Sequence, residues 1–66
     1  MSKEFARYLT GLIANDLENR LKVSCSSYEL ECVEKALQSG KIKEVEIYLT
    51  HIMTGQEPNL DEIFND

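Results

Sequence analysis

The apolar residues between Ser26 and Gly55 follow a helical period twice, with one break between the two runs. Ser26 and Glu29 have the spacing of a capping box, in which each side chain accepts a hydrogen bond from the other residue's backbone N–H. Gly40 and Gly55 suit the left-handed position that follows a helix C-terminus. Within each run the apolar residues recur at steps of three and four, which places them on one face of a helix: Tyr28, Cys32, Val33, Ala36 and Leu37, then Ile42, Val45, Leu49, Ile52 and Met53. We predict two helices joined by a short turn.

Residues 2 to about 22 predict an earlier helix. Its apolar stripe is widened on one side by Tyr8 and consists of Phe5, Leu9, Leu12, Ile13, Leu17 and Leu21. Asp16 and Arg20 lie within the angular range of this stripe, one turn apart. They form either an exposed i,i+4 ion pair on a face that the core has left, or a polar latch that fixes the register of a helix–helix or subunit seam.

The C-terminal segment predicts a short fourth helical turn. After Gly55, the linker Gln56-Glu57-Pro58 cannot continue the preceding helix, and Asn59 and Glu62 repeat the capping-box spacing. So short a segment is not helical alone, so it docks on its own body, on a second copy or on a partner. Docking onto its own bundle is the expected arrangement. The predicted fold is therefore all-α, with a small three-helix bundle over residues 1–55 and an acidic tail over residues 56–66.

Charge and size restrict the partners that this chain can bind. The net charge is −5, and the tail contributes most of it through Glu57, Asp61, Glu62 and Asp66, with no basic residue. Such a surface repels the phosphate backbone of a nucleic acid. A chain of 66 residues has a small core and is often stabilised by self-association. No apolar run can span a bilayer, and the first residues do not have the pattern of a signal peptide. We expect a cytoplasmic protein.

The residues that could carry chemistry are few. Cys25, Cys32 and His51 are too few and wrongly spaced for a structural zinc site, and Cys32 lies on an apolar helix face where a thiol behaves as a small hydrophobe. Catalytic pairs need a concave site with an orienting third group, which so small a bundle scarcely offers. We predict reduced thiols, no metal, no cofactor and no enzymatic activity.

Protein binding is the predicted function, in which the chain acts as an adaptor, regulator or inhibitor through surface contacts. Ile47 projects away from the apolar face of its helix, beside His51, and the tail combines apolar and acidic residues. The predicted partner-binding residues are Ile47, His51, Leu60, Asp61, Glu62, Ile63 and Phe64, with a basic surface as the expected complement. We also predict a homodimer, and the residues predicted to self-associate are Phe5, Tyr8, Leu12, Asp16 and Arg20.

Two alternatives involve nucleic acids. The second and third helices with their glycine turn have the outline of a helix-turn-helix, and Lys41 and Lys43 at the start of the third helix suit phosphates. Glu44 and Glu46 in the same turn oppose that role, and no arginine is placed there to read guanine. The acidic tail and second helix could instead mimic nucleic-acid phosphates and block a basic groove.

A gel shift distinguishes protein binding from binding to DNA. We expect no complex with duplex DNA at physiological salt, because the chain lacks a basic surface. A tight, salt-sensitive shift that Lys41→Ala and Lys43→Ala abolish would instead show that the helix-turn-helix interpretation is right.

Overall fold

A computed structural model describes residues 1–64, which form a bundle of helices. These are α1 (Lys3–Asp16), a π-helical turn (Leu17–Leu21), α2 (Ser27–Gln38), α3 (Ile42–Met53) and α4 (Leu60–Phe64). α2 packs against α1 and α3, and α4 packs against both α2 and α3. The structure confirms the predicted all-α fold, three helices followed by a short fourth.

Side-chain caps are present at the starts of α2 and α4, at the residues that the sequence predicts. The Ser26 N–H donates to Glu29 Oε1 at 3.0 Å, and the Glu29 N–H donates to Ser26 Oγ at 3.2 Å. At α4, the Glu62 N–H donates to Asn59 Oδ1 at 3.2 Å. Each bond satisfies a backbone group that the first turn of a helix leaves without a partner.

A glycine follows the C-terminus of each of the two central helices, α2 and α3. Gly40 and Gly55 have φ values of 75° and 77°, a conformation that glycine adopts without steric cost. After Gly40 the chain reverses, and the Lys41 N–H donates to the Ala36 carbonyl at 2.8 Å. The turn is therefore a Schellman-type end that leads directly into α3.

The core combines small residues from α1 with larger ones from α2 and α3. Thr10 is buried beside it, and its hydroxyl donates to the Ala6 carbonyl at 2.7 Å. The buried apolar cluster consists of Ala6, Val33, Ala36, Leu37, Val45 and Tyr48. Half-buried side chains of α1, α3 and α4 pack around it: Leu9, Ile13, Leu49, Ile52, Leu60, Ile63 and Phe64.

Tyr48 links three elements from the centre of this core. Its side chain is fully buried, its hydroxyl donates to Glu29 Oε2 at 2.9 Å, and the same oxygen lies 3.4 Å from Cys25 Sγ. The ring packs against that of Phe64, with 5.9 Å between centroids. Burial, together with the hydrogen bonds to Cys25 and Glu29, raises the pKa of Tyr48. α3 is thereby attached to the start of α2 and to α4.

Glu29 is the charged end of this network. Its partial burial would raise the pKa of the carboxyl group, but hydrogen bonds from the Ser26 backbone, the Tyr48 hydroxyl and the Ser26 side chain outweigh that effect. The pKa of Glu29 is therefore lowered from the ordinary 4.5. The folded state favours the carboxylate.

The π-helical turn changes which face of the first helix meets the core. Leu17 is buried, with 3% of its surface exposed, whereas Leu21 is 43% exposed. The sequence predicts one stripe through both residues, and that prediction is wrong for Leu21. A π turn holds one more residue than an α turn, so it rotates the following side chains out of register. Lys22 then ends the helix with a φ of 58°.

We expect Glu29→Gln to lower the free energy of unfolding by about 1 kcal/mol at pH 7, since a neutral amide accepts weaker hydrogen bonds than a partly exposed carboxylate. Because folding lowers the pKa of Glu29, its contribution is complete above pH 4.5 and is lost as pH falls through the folded-state pKa. Urea unfolding at several pH values should therefore show the difference between the two proteins shrinking in acid. Glu31→Gln, in the same helix, serves as the control and should show little difference at any pH, because Glu31 forms an exposed ion pair with Lys35.

Candidate protein-contact surfaces

α1 carries apolar side chains on two opposite sides. The side toward the bundle buries the small residues Ala6 and Thr10. Larger apolar side chains point to solvent, with Phe5 50% exposed, Tyr8 61% and Leu12 47%. Their spacing of three, four and seven residues places them on one stripe. We name this stripe the α1 face.

An apolar groove continues the α1 face at the C-terminal end of the helix. Its volume is about 280 Å³. We name it the α1 groove, and its apolar lining consists of Leu12, Ile13, Leu17, Leu21, Leu49 and Met53. Met53, predicted to lie on the core face of α3, is 64% exposed here. Together with Leu21 it extends the exposed apolar surface beyond α1.

Asp16 and Arg20 also line the α1 groove and form its polar edge. Arg20 Nε lies 2.9 Å from Asp16 Oδ1, and Nη2 lies 3.1 Å from Oδ2, so the pair is bidentate. Both side chains are exposed. The structure shows the i,i+4 pair, and the role of a latch at a subunit seam stays a prediction.

The residues predicted to self-associate therefore share one surface. The Phe5 and Tyr8 rings stack at its N-terminal end, with centroids 6.4 Å apart and an interplanar angle of 22°. Leu12 lies at its middle, and Asp16 and Arg20 lie at the groove. That these residues bind a second copy stays a prediction.

The predicted partner-binding residues divide between two other surfaces. Ile47, His51, Glu62 and Ile63 line a groove of about 270 Å³ between α3 and the tail. The remaining three, Leu60, Asp61 and Phe64, line a groove of about 480 Å³ against α2. Ile47 is exposed, as predicted from its position on α3.

The tail docks on its own bundle, as the sequence predicts. Leu60, Ile63 and Phe64 are half-buried against the core, so much of their apolar surface is already covered. Asp61 Oδ1 accepts a hydrogen bond from the Tyr28 hydroxyl at 3.4 Å. Proximity to Cys32 and Asp61 raises the pKa of Tyr28. Asp66 lies outside the described residues. The side chains of Asp61 and Glu62 in α4 are exposed.

The chain contains two cysteines and one histidine, Cys25, Cys32 and His51. Cys25 and Cys32 are free thiols, and Cys25 contacts the Tyr48 hydroxyl. Among residues 1–64, no three histidine, cysteine or carboxylate side chains are grouped so that they could hold a metal ion. His51 Nδ1 lies 2.9 Å from the Ile47 carbonyl, within its own helix.

No family model matches this sequence, and no curated protein or solved structure is significantly similar to it. Within residues 1–64, no helix combines the length and the apolar character needed to cross a membrane.

We expect Phe64→Ala to lower the free energy of unfolding by about 1–2 kcal/mol, since it removes a half-buried ring that packs against Tyr48. Glu62→Gln, exposed in the same helix, is the control and should change stability little. Thermal melts of both variants test this. Equal melting temperatures would show that α4 adds no stability to the bundle in solution.

Proposed function

We propose that this chain is a protein-binding module that acts through surface contacts, with the α1 face as its principal contact. One observation carries the proposal: Leu9 and Ile13 of α1 pack on the core, yet three further large side chains of the same helix remain about half exposed, namely Phe5, Tyr8 and Leu12. A helix that only had to complete its own bundle would place its large apolar side chains inward, where their burial is most favourable.

The size of the exposed surface supports the proposal. Phe5, Tyr8, Leu12, Leu21 and Met53 are each about half exposed, and at roughly 200 Å² for a large side chain they present about 500 Å² of mostly apolar surface. Contiguous apolar patches beyond a few hundred Å² mark interaction sites on soluble proteins. Solvent exposure of this surface costs free energy that a bound protein would recover.

We propose further that the chain self-associates through this face as a homodimer and binds its other partner through the acidic edge of α3 and α4. Ile47 supplies an exposed apolar contact there, and Glu62 lines the same groove. A basic partner surface complements these groups and is steered by the net charge of −5. The free thiols of Cys25 and Cys32 fit a reducing compartment such as the cytoplasm.

The α1 face is tested by placing a charge at its centre. We expect the unaltered chain to sediment as a dimer at tens of micromolar. The Leu12→Glu variant should remain folded but be monomeric, because burying an unpaired carboxylate in the dimer interface costs free energy. Ile42→Glu is the matched control, since Ile42 is 50% exposed against 47% for Leu12 and lies on α3. Sedimentation equilibrium and circular dichroism report assembly and folding.

The same variants separate the two parts of the proposal. If Leu12→Glu changes neither self-association nor the capture of any protein from native cells, the α1 face is not a contact surface and the proposal is wrong. If only Ile47→Glu abolishes capture, the partner-binding part stands alone.

A further inference from the structure

The α1 face has a protruding end and a recessed end. The stacked rings of Phe5 and Tyr8 protrude at its N-terminal end. The α1 groove, with Leu21 and Met53 exposed at its margin, lies at the C-terminal end. Leu12 lies between them and belongs to both.

Two-fold symmetry pairs these two ends. In a dimer with two-fold symmetry, both copies use the same surface. If residue i of one copy contacts residue j of the other, residue j of the first copy also contacts residue i of the second. When two α1 helices run antiparallel with the axis between Gly11 and Leu12, positions equally far from that point face each other. At 1.5 Å per residue, Phe5 lies roughly 10 Å from the axis, which matches the level of Leu17 and Glu18 on the other side, at the wall of the α1 groove.

We propose that the occupant of the α1 groove is Phe5 of a second copy of this chain, in an antiparallel pairing of the two α1 helices. This inference rests on the proposed function of the α1 face and names its partner. Each copy inserts one Phe5 ring and receives one, while Tyr8 faces Asn15 of the second copy and Leu12 packs near the axis.

The groove fits an aromatic ring in size and polarity. Its volume is about 280 Å³, while an apolar cavity of about 150 Å³ holds a benzene molecule. Its lining is aliphatic apart from the paired charges of Asp16 and Arg20, which neutralise each other at the edge. Pairing two copies would bury about 1,000 Å², which reaches the lower limit of a specific interface.

Charge favours a second copy on this face over the other faces. Residues 2–22 carry four basic and three acidic side chains, whereas residues 56–66 carry four acidic and no basic ones. Two chains of net charge −5 therefore repel each other least when they approach through α1. α4, packed on α2 and α3, keeps Asp61 and Glu62 away from α1.

Disulfide trapping tests the register of the pairing. The variants Tyr8→Cys, Asn15→Cys and Leu12→Cys are oxidised alone and in mixtures, and peptide masses identify which cysteines are joined, with Cys25 and Cys32 kept as internal references. We expect Leu12→Cys to cross-link with itself, and Tyr8→Cys to cross-link with Asn15→Cys at least tenfold more than with itself. Ile42→Cys, equally exposed on α3, should not cross-link.

The outcomes separate this inference from the proposed function. A parallel pairing would instead cross-link Tyr8→Cys with itself, and that result overturns the inference while the α1 face remains a contact. Phe5→Ala should raise the dimer dissociation constant at least tenfold, as expected for an aromatic anchor, and an unchanged constant also overturns it. If the chain is monomeric at all concentrations and Leu12→Glu abolishes capture of a different protein, the second-copy occupant and the proposed homodimer are both wrong, while the α1 face remains a protein contact.

Discussion

The buried hydroxyl of Tyr48 is the constraint on which the bundle depends most. A phenol inside an apolar core is costly unless its proton is donated, and here the acceptor is Glu29, the same carboxylate that caps α2. One residue therefore fixes the start of α2 and the depth of α3. Phe64 packs on the same ring, so α4 is positioned by the same contact. In a chain with so small a core, the contacts of this one tyrosine join three helices.

The helices and their caps could be predicted from the sequence because each depends on neighbours along the chain. Ser26 with Glu29, and Gly40 after α2, are patterns a few residues long. The core position of Tyr48 is not part of the sequence prediction, although Val45, Tyr48, Leu49 and Ile52 have helical spacing. Its acceptor lies 19 positions earlier, and no local pattern reveals that bond.

Two features of the α1 face cannot be predicted from the periodicity of apolar residues along the chain. The stripe of Phe5, Leu9 and Leu12 is visible in the sequence, but the edge that faces the bundle is the one that carries Ala6 and Thr10, whose small side chains are buried. The π-helical turn is the second feature. It places Leu17 inside and Leu21 outside, and nothing in the sequence Leu-Glu-Asn-Arg-Leu predicts an added residue per turn.

These two features together explain how so small a chain can leave a large apolar surface uncovered. On its inner side α1 buries the small residues Ala6 and Thr10 and packs Leu9 and Ile13 against the core. The remaining large apolar side chains of the helix, Phe5, Tyr8 and Leu12, are left about half exposed. The π turn adds Leu21 to the same side, beside Met53 at the end of α3. The tail carries −4 of the net charge of −5, and α4 packs on α2 and α3. The exposed apolar side chains of α1 and the carboxylates of α4 therefore lie on different helices, so that the proposed apolar contact and the proposed charged contact are separate surfaces.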